Sequence, residues 1–581
     1  MSDYLFILKN DLFIIANKLI EKNLINQSFN LSNISIDYQS KSKKGDVSTN
    51  LFILLNKNIN DKNFNINIFV QNELDDLKYI SKAEISQSGF INIFFDKKFL
   101  KENLNKILEN NNTYGNNNSG KNKTINVEFV SANPTGPLHV AHMRGAIFGD
   151  VISNMLESQS YKVTREYYVN DSGSQILTLG ESLYKRYLQI LGKQILISDK
   201  DYPGEYLIDI AKLIYNLDKD KWLNSNLEKR TKYFKDFAIK EIIKTIEKDL
   251  KGVNIKFDVF TYESNIIQNK IIEKVFNILK KKDLLYEGFL KQPKGEENKD
   301  WKPRKQLLFR STNFNDDNDR PFQKDNGEWT YFANDAAYHF DKFNRNYTNL
   351  INVWGSDHIG YIKRMKSIVE VVSNNKDYLN ICICQIVRLI KNDQIMKMSK
   401  REGNFVTVND LINEVGKDPL RYFMISTKNE TPMDFNIDKV ISKNKDNPVF
   451  YCQYAYARAS SVINKSKSNK EFNNFSNLLS NFDHTLITPF EWEIILKVLS
   501  WPYLLNQSAE LKQPHKITNY LEDLCSHFHS LWNKGKDNET FRFIDSSNIN
   551  QTSTRLIWIE CFRVVLKRAF TIIGIDAPEQ M

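Results

Sequence analysis

Residues 127–150 read VEFVSANPTGPLHVAHMRGAIFGD, and their pattern changes twice within a few positions. Upstream, Ile125, Val127 and Phe129 alternate with Asn126 and Glu128, which predicts a strand with period two. A turn-rich segment follows, with Pro134, Gly136 and Pro137 in close succession. Ile147, Phe148, Val151, Ile152, Met155 and Leu156 then recur at helical spacing. Beyond the helix, residues 161–171 (YKVTREYYVND) read as a second strand. Strand, loop, helix and strand make a βαβ unit, whose connection is expected to be right-handed and whose sheet is expected to be parallel.

Two clusters carry candidate chemistry. His139-Val140-Ala141-His142 opens the predicted helix, and histidines three apart share one face of a helical turn. A helix N-terminus already favours anions, so two imidazoles there suit phosphate oxygens. A zinc helix would place its histidines at i, i+4 with a Glu between, and neither feature is present. For the two histidines alone, ordinary helix residues remain the better reading. Far downstream comes Lys397-Met398-Ser399-Lys400-Arg401-Glu402-Gly403, after a hairpin-like stretch turning at Asn392-Asp393. Cations with a small Ser and a Gly suit a mobile loop over a polyphosphate. A solvated charge run is the usual fate of such a cluster.

Outward from this centre, residues 1–110 read as a small α+β unit. An amphipathic N-terminal helix interrupted by Asp3, Lys9 and Asp11 leads to strands predicted at Asn65–Val70 and Gly89–Phe95. That interruption argues against a signal peptide. Residues 111–123 are Asn- and Gly-rich, with little to bury, and read as a linker. Residues 124–417 then form the unit built on the βαβ pattern. Its stretch 172–330 is predicted mostly helical and highly charged, an insertion splitting the fold before sheet-like patterns return at Leu350–Trp354 and Leu379–Leu389. Residues 418–581 are nearly all helical in pattern, with Asp418 as expected N-cap and Pro419 at the first helical position.

The chain has 581 residues, 41% of them hydrophobic, enough for several cores. This excludes a mainly disordered chain and a disulfide miniprotein. Lys plus Arg exceed Asp plus Glu by 80 to 70, a formal charge of +10 that permits a polyanionic partner. No apolar run approaches the roughly 18 residues of a membrane span. The five cysteines form no CxxC pair, so buried thiols in a reducing cytoplasm are expected, with no structural zinc.

HxxH opening one strand-helix unit and KMSK far downstream resemble a class I aminoacyl-tRNA synthetase. The resemblance narrows to the arginyl-tRNA synthetases through residues 127–150, YVNDSGSQ (168–175), YPGEY (202–206), YFANDAAYHFDK (331–342), VWGSDHIGY (353–361), KMSKREGNFVT (397–407), NPVFYCQYAYAR (447–458) and GIDAPEQM (574–581). Each motif is weak by itself; their order along the whole chain is specific. Two positions depart from the family pattern. Ala141 stands where HxGH has its glycine, against which adenine packs, and Tyr456 stands where a His is commoner.

The resemblance implies an α/β multidomain protein: an N-terminal tRNA-binding domain, a Rossmann-like parallel-sheet catalytic domain with an insertion, and an all-α anticodon-binding bundle. It implies ATP with Mg²⁺, L-arginine and tRNA(Arg) as partners, a cytoplasmic location, and no membrane; a monomer is the default. His139, His142, Lys397 and Lys400 would be catalytic. Pro134, Gly136, Ala141, Asp357, Met398 and Ser399 would join the histidines at ATP. Glu128, Ser131, Asn133, Tyr331, Asp335 and His358 would line the arginine pocket, since carboxylates pair with a guanidinium fork. Without the resemblance, Glu128 reads as a solvent-facing strand residue and Asp335 as a surface helix carboxylate. Tyr451, Tyr454 and Arg458 would meet tRNA, although helix packing accounts for each equally well.

Three other functions were weighed. Another HxxH nucleotidyl transferase would need neither flanking unit. A silent RNA-binding paralogue would be expected to lose histidines or lysines that this chain keeps. A class I synthetase for cysteine would be expected to carry a zinc-like cysteine set, which the sequence lacks.

Overall fold

The computed structural model describes residues 4–26, 29–38, 45–289, 304–396, 406–444 and 446–581. The N-terminal helix Tyr4–Glu21 buries Leu5, Leu8, Leu12, Ile15 and Leu19 along one face. It accompanies an antiparallel sheet of β1 (Ile36–Tyr38), β2 (Val47–Thr49), β3 (Ile80–Ile85) and β4 (Ile91–Phe95), in the order β1-β2-β4-β3. The strand expected at Asn65–Val70 is instead the start of helix Ile66–Asp75. Asn65 caps it by accepting from the Ile68 amide at 3.2 Å, and Ile66, Val70 and Leu74 form its buried stripe. The alternation of Ile66, Ile68 and Val70 hid a four-residue spacing that only Leu74 completes.

Residues 111–123 do not behave as a tether with nothing to bury. The Tyr114 carbonyl accepts from Trp501 Nε1 and Arg568 Nε, both at 3.3 Å. Asn116 accepts from Arg568 at 2.8 Å, and Asn117 donates to Asn506 at 3.0 Å. The Asn-rich composition supplies hydrogen bonds that fasten this segment to the C-terminal helices.

The centre is a parallel sheet of β5 (Thr124–Glu128), β6 (Lys162–Val169), β7 (Val259–Tyr262), β11 (Asn349–Gly355) and β12 (Leu379–Cys384), in the order β12-β11-β5-β6-β7. Both faces of β5 are covered, so Asn126 and Glu128 are buried as well as Val127. Helix Val140–Ser158 connects β5 to β6 and lies close on the sheet at Gly149. A Cβ there would sit 2.3 Å from the Phe129 ring. The chain runs outward from β5 through β6 and β7, then resumes on the other side at β11. The strand order therefore reverses between β5 and β11, where open α/β sheets place ligands outside the strands' carboxyl ends.

The insertion is less uniformly helical than its charge pattern predicts. Helices Ser174–Ile190, Tyr206–Asp218 and Leu227–Gly252 come first, but β7 then returns to the central sheet. Beyond helix Ile271–Lys281, β8 (Leu285–Phe289), β9 (Lys305–Phe309) and β10 (Arg320–Gln323) form an antiparallel sheet. These strands are too short for periodicity to separate from loop. The run 379–389 is likewise divided between two sheets. β13 (Val387–Lys391) pairs with β14 (Gln394–Ile395) and β15 (Met433–Asn436). The turn expected at Asn392-Asp393 is present, with both residues at positive φ as a type I′ hairpin requires.

The helix expected to begin beyond Asp418 starts at Lys417, after Gly416 at φ +85°. On it, Arg421 is fully buried. Its guanidinium donates to Asp150 of the β5–β6 helix, to the Val253 carbonyl and, at 2.7 Å, to the Ile573 carbonyl. Gly574, at φ +76°, lets the chain pass so closely that a Cβ would lie 2.3 Å from that guanidinium. One side chain thus joins the sheet's first helix, the end of the insertion and the last helix, Ile549–Ile573. Arg421→Leu leaves Asp150 and two carbonyls without this donor. It is expected to cost about 3–5 kcal/mol, read as a lowered urea midpoint; a loss under about 1 kcal/mol would show that the junction does not depend on Arg421.

Candidate active site

The loop leaving β5 is strained and firmly held. Val130 and Ser131 both have positive φ, +66° and +39°, which costs non-glycine residues on the order of 1–3 kcal/mol each. Ser131 Oγ donates to Glu128 at 3.1 Å and accepts from the Tyr168 amide at 3.1 Å. Two tyrosine hydroxyls pin the next turns, Tyr167 on the Ala132 carbonyl at 2.7 Å and Tyr206 on the Thr135 carbonyl at 2.6 Å. Pro134 and Gly136 are buried in this loop. Asn133 is exposed and donates to Gln175 at 3.3 Å.

The loop delivers His139 as the N-cap of helix Val140–Ser158. The His139 amide donates to His142 Nδ1 at 3.2 Å, and the two ring centroids are 4.0 Å apart. An accepting Nδ1 places the proton of neutral His142 on Nε2. Ala141 is exposed on the first turn. Two residues past His142, Arg144 is buried and donates to the Gln385, Thr431 and Lys428 carbonyls at 3.2, 2.6 and 2.8 Å. Those bonds lock the histidine helix to the crossing beyond β12.

Lys397, Met398, Ser399 and Lys400 lie outside the described residues. Their flanks do not. Met396 donates to Leu389 at 2.9 Å on one side. On the other, Thr407 forms a β-bridge with His139, and the Val408 amide donates to the Leu138 carbonyl at 3.2 Å. The segment after the lysines is therefore stitched directly to the first histidine.

A group of acids gathers at the carboxyl edge of the sheet. Tyr168 is surrounded by Glu263, Asp335, Glu128 and Asp171, and its hydroxyl is held well above the usual phenol range by burial first and by these charges next. Glu128 is buried, contrary to a solvent-facing strand position, and forms an ion pair with fully buried Lys342. Its charge is thus already matched. Asp335 is on helix Tyr331–Asn344 and only partly accessible. Burial pushes its carboxyl up to about 7; the Tyr361 hydroxyl and Arg364 oppose the rise, and Glu128 and Glu263 add to it. Glu263 accepts from Ser172 and, at 2.8 Å, from Asn334. A cation presenting several N–H donors would relieve this crowding.

The remaining expected residues are more open. Tyr331 begins the Asp335 helix and is 74% exposed, so of the i, i+4 pair only Asp335 enters the acidic group. Asp357 and His358 are exposed at the carboxyl end of β11, with His358 Nε2 3.4 Å from the Asp357 carboxylate. On the following turn, Tyr361 reaches back to Asp335. Tyr451, Tyr454 and Arg458 share helix Pro448–Ser466 and converge on His529, with Arg458 2.9 Å from its Nδ1. Tyr456 is buried against Phe570, away from the cleft. Burial pushes the Cys382 and Cys384 thiols up to about 11 and about 12. Among the described residues no three His, Cys, Asp or Glu side chains group as a metal site.

Family comparisons match this geometry in order. The model "Arginyl tRNA synthetase N terminal domain" matches residues 14–95, "tRNA synthetases class I (R), catalytic domain" residues 103–442, and "DALR anticodon binding domain" residues 452–581. The chain belongs to the arginyl-tRNA synthetase family. It is 40% identical over 578 residues to the arginine–tRNA ligase of Ehrlichia ruminantium (strain Welgevonden), covering 99% of this chain and 97% of that one. To the Bartonella bacilliformis ligase it is 40% identical over 560 residues, 96% of each chain. Its fold resembles Thermus thermophilus arginyl-tRNA synthetase, with a TM-score of 0.74 over both full chains at 18% identity.

Sequence reasoning assigned no site role to Arg144, Lys342, Glu263 or Tyr361. Lys342 and Tyr361 end motifs quoted for the family resemblance, and Arg144 lies inside another; their signal was present without a geometry to interpret it. Glu263 had only its place after a four-residue strand.

The raised Asp335 carboxyl has a measurable consequence. An unfolded Asp titrates near about 3.9, the folded one near 7. Between these values the folded chain binds the extra proton, so its stability falls as pH rises through the window. Asp335→Asn is expected to raise the melting temperature at pH 8, with the gain shrinking steadily toward pH 5. A difference that does not vary with pH would contradict a carboxyl held protonated by its surroundings.

Proposed function

We propose that the cleft between β5 and β11 is where this chain performs the reaction of its family. The chain is an arginine–tRNA ligase of class I: it activates L-arginine with ATP to arginyl-adenylate, then transfers the arginyl group to the 3′-terminal adenosine of tRNA(Arg). The observation that carries the site assignment is the acidic group around Asp335 at the carboxyl end of the sheet, where the loop leaving β5 leads to the paired histidines.

In the first step an arginine carboxylate oxygen attacks the α-phosphorus, and the bond to the leaving pyrophosphate breaks. Catalysis here is positioning and charge stabilisation, with no side-chain nucleophile. His139 and His142 hold phosphate oxygens, and Lys397 and Lys400 stabilise the charge growing on pyrophosphate. Pro134, Gly136 and Ala141 bring backbone to the nucleotide, with Asp357 toward its ribose; Met398 and Ser399 are assigned to ATP as well. Asp335 takes the guanidinium, supported by Tyr361 and Glu263, while Glu128, Ser131, Asn133, Tyr331 and His358 complete the pocket. Mg²⁺ carried by ATP would supply neutralisation of phosphate charge. The protein's donor set suits an ion carried by phosphates and water rather than one caged by side chains. In the second step the 2′-hydroxyl attacks the adenylate carbonyl, and AMP leaves.

The unit 1–110 and the helices of 418–581 would hold tRNA on either side of the catalytic unit 124–417, with Tyr451, Tyr454 and Arg458 at the anticodon end. The family also implies that tRNA must be bound before arginine is activated efficiently. We assign a cytoplasmic monomer. No helix among the described residues is long and apolar enough to cross a membrane.

Charging of tRNA with each amino acid in turn tests the reading, and only arginine is expected to be attached. Attachment of another amino acid alone would overturn the specificity. Lys400→Ala is expected to slow activation far more than it weakens arginine binding; equal losses in both would remove its transition-state role. Because a guanidinium pairs with ionised Asp335, the arginine KM in tRNA-dependent pyrophosphate exchange should rise toward tenfold per unit as pH falls below about 7. Asp335→Asn should raise that KM by on the order of a hundredfold and flatten the profile; a variant retaining the wild-type slope would place the titration elsewhere.

A further inference from the structure

Four carboxylates face the Tyr168 hydroxyl, those of Glu263, Asp335, Glu128 and Asp171. Three of them are already engaged at both oxygens. Glu128 accepts from Lys342 and, at 3.1 Å, from the Ser131 hydroxyl. Asp171 accepts from the Ser264 amide at 2.8 Å and from its hydroxyl at 2.6 Å. Glu263 accepts from the Ser172 hydroxyl and, at 2.8 Å, from the Asn334 amide group. Tyr168 is buried too, yet among the described residues its hydroxyl has no hydrogen-bond partner.

An unpaired phenol among four acids is unexpected, because a buried hydroxyl without a partner is costly and a carboxylate is a ready acceptor. The ring is held so that it does not turn to one of them. It stacks on Tyr338 with centroids 4.1 Å apart, and Tyr338 is itself fixed by donating to Glu166 at 3.1 Å and by Lys342 4.3 Å from its ring centroid. The Tyr168 amide donates to the Ser131 hydroxyl at 3.1 Å, which ties the backbone to the loop leaving β5.

We propose that Tyr168 is a specificity-determining residue of the arginine pocket, its hydroxyl oxygen accepting an N–H of the guanidinium whose other N–H groups pair with Asp335. This rests on the arginine-charging reading above. A guanidinium carries five N–H donors in a planar fork, and a carboxylate takes two of them side by side. In a buried pocket the remaining donors need acceptors of their own. The oxygens of Glu128, Asp171 and Glu263 are shared with protein donors, and one more free carboxylate would add repulsion to groups that already crowd one another. A neutral oxygen supplies the acceptor without the charge. Burial first, and the surrounding acids next, hold the phenol well above its usual range, so it keeps its proton while it accepts. An ammonium presents its three donors from one nitrogen and matches two separate acceptors less well than a fork does.

Tyr168→Phe keeps the ring, its stack and the backbone bond, and removes only the oxygen. In tRNA-dependent pyrophosphate exchange the arginine KM should rise about tenfold, while kcat and the KM values for ATP and tRNA change less than about twofold. Because the oxygen has no partner in the free protein, the melting temperature of the ligand-free variant should equal or exceed that of the wild type. Combined with Asp335→Asn, the rise in arginine KM should fall short of the product of the two single effects, since both groups act on one guanidinium. An unchanged arginine KM would overturn the proposal, as would effects that multiply in full. A lowered melting temperature of the free variant, or a KM rise shared equally by arginine, ATP and tRNA, would make Tyr168 a structural residue and overturn it as well. A wild-type chain that attaches only some other amino acid would instead sink the reading on which the proposal rests.

Discussion

Two buried ion pairs hold the helix that carries Asp335 against the central sheet. Lys342, with no exposed side-chain surface, pairs with Glu128 at the end of β5 and donates to Asn352 of β11 at 3.2 Å. Three residues on, Arg345 grips Glu166 of β6 with two bonds of 2.8 Å. Thr261 of β7 and Tyr338 of the helix also donate to Glu166, at 2.7 and 3.1 Å. One helix is therefore keyed to three of the five parallel strands, and through Glu166 to a fourth, β7. Buried pairs of this kind contribute little net stability against an apolar alternative, but removing one partner is costly, so they fix position rather than strengthen the fold.

That keying decides the electrostatics one turn away. Burial would raise the Glu166 carboxyl, but Lys342 and Arg345 outweigh it and hold it below the usual range. Burial and Lys342 push His339 down to about 3, so it is a neutral spacer between Asn352 and the Asp335 backbone carbonyl. Asp335 receives no comparable cation and rises to about 7. The difference between Glu166 and Asp335 is one of geometry, since both are acids facing the same sheet. The matched carboxylate organises the protein, and the unmatched one is left to a ligand.

This explains what could be read from the sequence. The βαβ unit was legible because the alternation of β5 runs on to Phe129 and is followed by a helix of 19 residues, long enough to show its period, and the histidines were legible because the helix they open was. The Asn392-Asp393 hairpin was legible from turn chemistry. The strands β7 to β10 were not, being four or five residues long, and Asn65–Val70 was misread because three alternating apolar residues precede the one that reveals a helix. At the site, residue types pointed to an acidic pocket but could not show which acid was spent. Glu128 and Asp335 look alike in sequence; only the fold brings Lys342 to one and Tyr361 to the other. The open positions of Tyr331, Asp357 and His358 follow from the same cause, since sequence gives the edge of the sheet a residue occupies but not how deeply it sits.

The strain at Val130 and Ser131 has its place in this arrangement. A loop free to relax would let His139 move relative to β5, the strand that ends in Glu128. The three bonds from Ser131, Tyr167 and Tyr206 oppose that relaxation from β6 and from the insertion helix Tyr206–Asp218. The bridge from His139 to Thr407 adds a fourth restraint from beyond the lysine segment. Displacement of the insertion would therefore be felt at the paired histidines through the Tyr206 hydroxyl, and displacement of Thr407 through its bridge to His139. The net charge of +10 takes no part in this coupling. It acts at the surface, whereas in the cleft burial of the Asp335 carboxyl outweighs Tyr361 and Arg364 and pushes it up to about 7.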